Sequence, residues 1–340
     1  MIPAIFGCSG PCLTVDERAF FREADPAGYI LFARNCENPE QLRALTDELR
    51  SLHGRDKLLI SIDQEGGRVA RLRPPHWSPY PAGEAFAQLY SLAPASAIEA
   101  ARANAEAMAL ELSAMGITVT FHPPLDLRQP GAHDVIGDRA LGREPMQIAA
   151  IGRALLDGLA RGGVTGCIKH MPGHGRSMVD SHKELPTVHE GAEALEADIA
   201  PFRALNSAKI GMTGHLMFPV WDAENPATLS STIIREVIRG AIGFEGLLLT
   251  DDIDMEALAG SVPERAARAI AAGCDIALNC WARMDDMQGV CESLPAMSDA
   301  VSLRLNAALE STWIADTIPS AQGELLAKRD ALLALAGEAA

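Results

Sequence analysis

Apolar positions in this chain come in short unbroken runs, each followed by a longer stretch with a helical rhythm. The runs occupy residues 4–8, 28–32, 58–62, 117–121, 165–168, 209–213, 247–250 and 274–278. Continuous rather than alternating apolar character suits strands buried on both faces, as in a parallel sheet. The clearest helical stretch, 95–115, stops at Gly116, a residue suited to the position after a helix C-terminus. A second, 41–50, follows Asn38-Pro39, with proline near the helix start. The segment from about 323 is also helical in pattern and is expected to cover the barrel. Eight strand-like runs, mostly separated by helices, predict a closed barrel of the α/β, (β/α)8 TIM-barrel-like class, with 1–340 as a single catalytic domain. No repeat of fixed period and no low-complexity linker interrupts the chain.

In such barrels reacting groups sit at the C-terminal ends of strands. Polar residues follow the runs accordingly. Asp63-Gln64-Glu65-Gly66-Gly67-Arg68 follows the third, Lys169-His170 the fifth, His215 the sixth and Asp251-Asp252 the seventh. An open nucleotide-binding sheet would need a glycine-rich phosphate turn. Gly66-Gly67 lacks that spacing, and the preceding carboxylates would repel phosphate.

Three constellations carry candidate chemistry. A carboxylate ending a buried strand needs a partner or a purpose, so one of Asp251 and Asp252 caps a helix, or one caps while the other reacts. The segment 169–182 crowds Lys169, His170, His174, Asp180 and His182 into fourteen residues. It reads as metal ligands, as an acid/base dyad in which Asp180 orients His182, or as a polar surface loop. In 63–71, carboxylates and guanidinium groups together are suited to gripping vicinal hydroxyls; the alternative is an internal Glu65–Arg68 salt bridge.

Charge and cysteine usage narrow the setting. A formal net charge of −16 disfavours nucleic acid and anionic lipid as partners. The seven cysteines are odd in number and mostly in apolar runs, which suggests reduced thiols and a cytoplasmic protein rather than a disulfide framework. Cys8 and Cys12 have a metal-like spacing with no second pair to complete it. The first residues lack the charged and apolar regions of a signal peptide, and no run approaches a membrane span of roughly 20 apolar residues.

The motifs in order, Asp-Gln-Glu-Gly-Gly-Arg-Val-x-Arg at 63–71, Lys-His-x-Pro-Gly-His-Gly at 169–175, Asp-Ser-His at 180–182 and Thr-Asp-Asp-x-x-Met at 250–255, resemble family 3 glycoside hydrolases. The likeness is to their single-domain β-N-acetylhexosaminidases of the NagZ type and extends over roughly 28–278. It implies a barrel in which some strands depart from the regular pattern. It implies Asp251 as nucleophile, His182 as general acid/base and Asp180 as its dyad partner. Asp63, Arg71, Arg139, Lys169 and His170 would hold the N-acetylglucosamine unit, with His215 nearby. It further implies no metal and no cofactor, a carbohydrate substrate, a monomer, and removal of N-acetylglucosamine from muropeptides in peptidoglycan recycling. Met171 replaces a usual Phe, Arg176-Ser177 stands where relatives often carry Asp-Thr, and His122 occupies a position where a small residue is common.

Three other functions fit less well. A metal-dependent barrel hydrolase usually starts from His-x-His after the first strand, where this chain has no histidine. A non-catalytic sugar-binding protein would not need both a nucleophile and an acid/base. Phosphorolysis is the closest rival, because a neutral histidine repels phosphate less than a carboxylate does.

Overall fold

A computed structural model of the chain describes residues 1–129, 131, 133–179 and 184–338. Asp180 and His182 lie outside the described residues. All eight expected strands form: β1 (Ile2–Gly7), β2 (Pro26–Leu31), β3 (Leu59–Ile62), β4 (Val119–Thr120), β5 (Thr165–Met171), β6 (Ile210–Thr213), β7 (Leu247–Asp252) and β8 (Ile276–Asn279). They pair in sequence order into a closed barrel, β8 returning to β1, and every pairing is parallel. The expected irregularity appears as breaks of register in the β1/β2, β5/β6 and β7/β8 pairs. The last two lie where β5 and β7 deliver Lys169-His170 and Asp251-Asp252.

Burial on both strand faces divides the apolar residues into two clusters. Ile5, Leu59, Val119, Cys167, Ile210, Leu247, Leu249, Ile276 and Leu278 fill the barrel interior together with Leu305, Ala308 and Leu309 of the helix Asp299–Leu309. Phe6, Tyr29, Leu31, Ile60, Ile62, Ile168 and Leu248 point the other way, into the layer of helices. The helix expected at 95–115 spans Pro94–Ala114 and ends against Gly116, whose φ of +76° suits glycine. The 41–50 helix spans Pro39–His53, capped by Asn38 through the Gln41 amide. The C-terminal helix, Ala321–Glu338, packs on the outside of the helix Pro94–Ala114: Arg329 donates to the Pro79 carbonyl and to Asn104, and Gln322 to Glu111. Between β6 and β7 the crossover Ile233–Ala241 winds with the wider π-type turn, which the apolar pattern did not foretell. Among the described residues no helix is long and apolar enough to cross a membrane.

Candidate active site

The strand ends surround a cavity of about 400 Å³ lined by Asp63, Arg71, Arg139, Lys169, His170 and Asp251, among others. Six of the nine residues expected at the site therefore share one wall or floor.

The β3 loop owes its shape to its glycines and to Gln64. Gly66 and Gly67 take φ of +108° and +56°, and a Cβ on Gly66 would sit 2.2 Å from the Pro81 carbonyl oxygen, so only glycine fits. The Gln64 amide accepts from the Arg71 and Leu72 backbone N–H and donates to the Leu72 carbonyl. This turn throws Arg68 outward, where it pairs with Asp138 at 2.7 Å. A Glu65–Arg68 bridge is accordingly not formed. Glu65 instead receives Arg139 through Nε at 2.9 Å and Nη2 at 2.8 Å, and Lys169 Nζ at 2.8 Å. Lys169 also reaches Asp63 Oδ1 at 3.0 Å, and Arg71 reaches Asp63 Oδ2 at 3.1 Å. Burial would raise the Glu65 carboxyl, but Arg139 and Lys169 outweigh it and hold it well below its usual range. Burial would likewise lower Lys169, and Glu65 and Asp63 reverse the sign. These five groups, three cations and two carboxylates, form one ion-pair network rather than separate pairs.

At its C-terminal end β7 carries Asp251 and then Asp252. Asp251 Oδ1 accepts the Asp252 N–H at 2.8 Å, and among the described residues Oδ2 accepts no hydrogen bond. Burial would raise this carboxyl; His170, His215, the Asp252 N–H and Lys169 overcome it and hold it at about 2. Asp252 behaves oppositely. Burial and the Asp254 charge push its carboxyl well above the usual range. Its Oδ1 accepts the Asp254 N–H at 3.0 Å, so each carboxylate takes one backbone N–H and the two differ in the charges around them.

The histidines divide by their partners. His170 Nδ1 lies 2.7 Å from Asp126 Oδ2, and the His170 and His174 backbone N–H groups donate to Asp126 Oδ1. Burial raises the Asp126 carboxyl, but His170 and His174 prevail and keep it low. An ionised carboxylate only accepts, so Nδ1 carries the proton and Nε2 is left for the cavity. Asp126 is fully buried and was not foreseen; a lone Asp in Pro-Pro-Leu-Asp carries no motif. His215 is also fully buried and does not line the cavity. Its Nδ1 meets Thr228 Oγ1 at 2.8 Å and its Nε2 donates to the Asp252 carbonyl at 2.9 Å. It therefore holds the strand that carries Asp251. His122 is buried, and neither ring nitrogen has a hydrogen-bond partner among the described residues.

Met171 is completely buried, so it anchors the approach to the histidine loop. Arg176 binds Asp198 at 2.7 Å and Glu190 at 3.3 Å, fastening the loop to the helix Ala192–Ala204. Among the described residues no three His, Cys, Asp or Glu side chains are grouped to hold a metal.

The Glycosyl hydrolase family 3 N terminal domain profile matches residues 14–308. A β-hexosaminidase of Alkalilimnicola ehrlichii is 41% identical over 82% of this chain and 80% of its own length. One of Bordetella avium is 38% identical with the same coverage. The crystal structure of NagZ from Neisseria gonorrhoeae in complex with N-trifluoroacetyl-D-glucosamine superposes with a TM-score of 0.88 at 33% identity, covering 98% of this chain and 97% of that one. The chain belongs to glycosyl hydrolase family 3 and is a glycoside hydrolase.

Proposed function

We propose that the chain is a retaining β-N-acetylglucosaminidase that releases terminal β-linked N-acetylglucosamine by double displacement. One observation carries the reading: Asp251 is ionised at a cavity wall with a carboxylate oxygen that no described protein group occupies. Such an oxygen can attack the anomeric carbon, breaking the glycosidic bond and forming a glycosyl ester. His182 donates a proton to the leaving oxygen, then removes one from the water that hydrolyses the ester, with Asp180 orienting the ring. An imidazole has an ordinary pKa of about 6.5, so it serves in both directions near neutral pH. Asp63, Arg71, Arg139, Lys169 and the free Nε2 of His170 hold the sugar hydroxyls and acetamido group. His215 acts behind the site on the Asp251 strand. The relative solved with an N-acylglucosamine derivative supports this choice of sugar.

In this reading residues 1–340 work as one catalytic domain, a monomer in the cytoplasm, acting without metal or cofactor on muropeptides during peptidoglycan recycling. The test follows a β-linked N-acetylglucosamine disaccharide by NMR, with and without inorganic phosphate. The expected first product is β-N-acetylglucosamine in both. First release of the α-anomer would overturn the double displacement, and formation of sugar 1-phosphate would establish phosphorolysis instead.

A further inference from the structure

The wall of the cavity made by β8 and the segment after β2 belongs to none of the groups assigned above. Phe32, Arg34, Cys280 and Trp281 line it. Trp281 is 47% exposed, an unusual state for so large an apolar ring bordering a polar cavity. The other half-exposed tryptophan, Trp313, lies away from the cavity, packed over Gly163.

Trp281 is held firmly for an exposed side chain. Asp254 Oδ2 accepts its backbone N–H at 3.1 Å and that of Cys280 at 2.8 Å, and Asn279 fixes Asp254 from below. Asp254 in turn donates its own N–H to Asp252, so the tryptophan and the Asp251 strand end are joined through one carboxylate. The next residue, Ala282, takes a φ of +55°, a left-handed conformation costly for alanine that persists where the surroundings impose it. Arg283 then folds back with its guanidinium 4.4 Å from the indole centroid, covering one face by a cation–π contact. On the same wall, Arg34 reaches the Cys280 carbonyl at 2.5 Å and lies 4.8 Å from the Phe32 ring centroid. Among the described residues it has no carboxylate partner.

We propose that Trp281 is the platform of a leaving-group subsite, stacking the C–H face of the pyranose attached to the scissile oxygen. The inference rests on the proposed glycosidase reading for the identity of the ligand. A pyranose presents an apolar face of C–H bonds, which the electron-rich face of an indole attracts. The Arg34 guanidinium, free of a carboxylate, supplies donors for hydroxyl or anionic substituents of the same ring. Asp63, Lys169 and their neighbours offer only polar heads, so they suit the hydroxyl-rich glycone and leave the aromatic wall to the aglycone.

The test compares kcat/KM on a β-linked N-acetylglucosamine disaccharide and on methyl β-N-acetylglucosaminide, whose leaving group is too small to stack. In Trp281→Ala the disaccharide-to-methyl ratio should fall about tenfold, the scale of one good stacking contact, with most of the loss in KM. Trp281→Phe should restore the ratio to within about threefold, since the smaller ring still stacks. An unchanged ratio in Trp281→Ala, including equal losses on both substrates, would overturn the platform. A second arm measures binding without turnover. In Asp251→Asn the disaccharide should quench tryptophan fluorescence more than the monosaccharide does, and Trp281→Phe in that background should abolish the difference. If the wild type cleaved neither glycoside, the glycosidase reading would fail, and the quenching arm would still decide the platform. Persistence of the quench without Trp281 would refute it.

Discussion

Glu65 and Asp251 are both carboxylates at the barrel mouth, both held ionised against burial, and they are held by opposite means. Glu65 spends its oxygens on direct contacts, two from Arg139 and one from Lys169. Asp251 has one direct donor, a backbone N–H, and owes the rest of its low pKa to charges that do not bond to it. A saturated carboxylate organises its neighbours. An ionised carboxylate with a vacant lone pair can react. The difference separates scaffold from chemistry better than pKa direction, which the two share.

The sharpest way to break this comparison is to neutralise each carboxylate. Asp251→Asn should lower turnover on the order of 10⁴-fold or more, as loss of a catalytic carboxylate does, while sugar binding and melting temperature change little. If Asp252→Asn were the dead variant and Asp251→Asn stayed active, the assignment would collapse. The Asp251 carboxyl sits at about 2, below its ordinary value. It therefore stays ionised through the working range, and the acid limb of a pH–rate profile belongs to another group.

His182→Ala is expected next in size. A sugar alkoxide must be protonated as it leaves, whereas a nitrophenolate leaves unaided. The disaccharide should lose about 10²–10⁴-fold, the usual range for general acid catalysis. With the aryl glycoside, glycosylation should suffer less, and slow deglycosylation should leave a covalent sugar on Asp251, detectable by mass spectrometry. Equal losses in the glycosylation step for both substrates would assign the proton to another donor.

Glu65→Gln tests the scaffold side. It leaves Lys169 and Arg139 buried with one carboxylate, Asp63, between them. Breaking a buried ion pair on one side costs roughly 3–5 kcal/mol, so calorimetry should show a clear fall in melting temperature, far larger than for Asp251→Asn. Equal stability of the two variants would remove the distinction.

The sequence made the barrel legible because strands buried on both faces leave unbroken apolar runs, and all eight were visible. It made strand ends legible for the same reason: Asp63, Lys169 and Asp251 stand out as polar residues where such a run stops. Partners were not legible. Glu65 has Arg68 three residues away, yet pairs with Arg139, 74 residues along the chain, because the Gly66-Gly67 turn points Arg68 outward. Asp126 carries no motif and gains its importance only when β4 and β5 bring it against His170. His215 follows its strand as a site residue should, but its ring turns inward to Thr228 and the Asp252 carbonyl. Direction of a side chain beyond the strand end is set by tertiary packing, which a linear pattern does not encode.

His122 gives the smallest effect at neutral pH and the most specific one in pH. Its ring is buried beside the Glu65 network with both nitrogens unpartnered among the described residues. Burial pushes its pKa down to about 4, with Lys169 and Arg139 adding to the shift and Glu65 opposing it. The unfolded chain, with an ordinary histidine at about 6.5, therefore takes up this proton before the native state does. Stability present above pH 6.5 is lost progressively as the pH falls toward 4, by an amount on the order of 3 kcal/mol. His174 is lowered in the same way and adds its own slope, which a His122 variant retains. At pH 7 His122→Ala removes packing but also removes two unsatisfied buried nitrogens, terms of opposite sign, so the net change should be within about 1 kcal/mol. Between pH 6.5 and 4 the variant should lose stability less steeply than the wild type. Melting temperatures measured across that range decide it: curves that run parallel would mean that His122 finds a proton-stabilising partner in the folded protein and does not contribute to acid sensitivity.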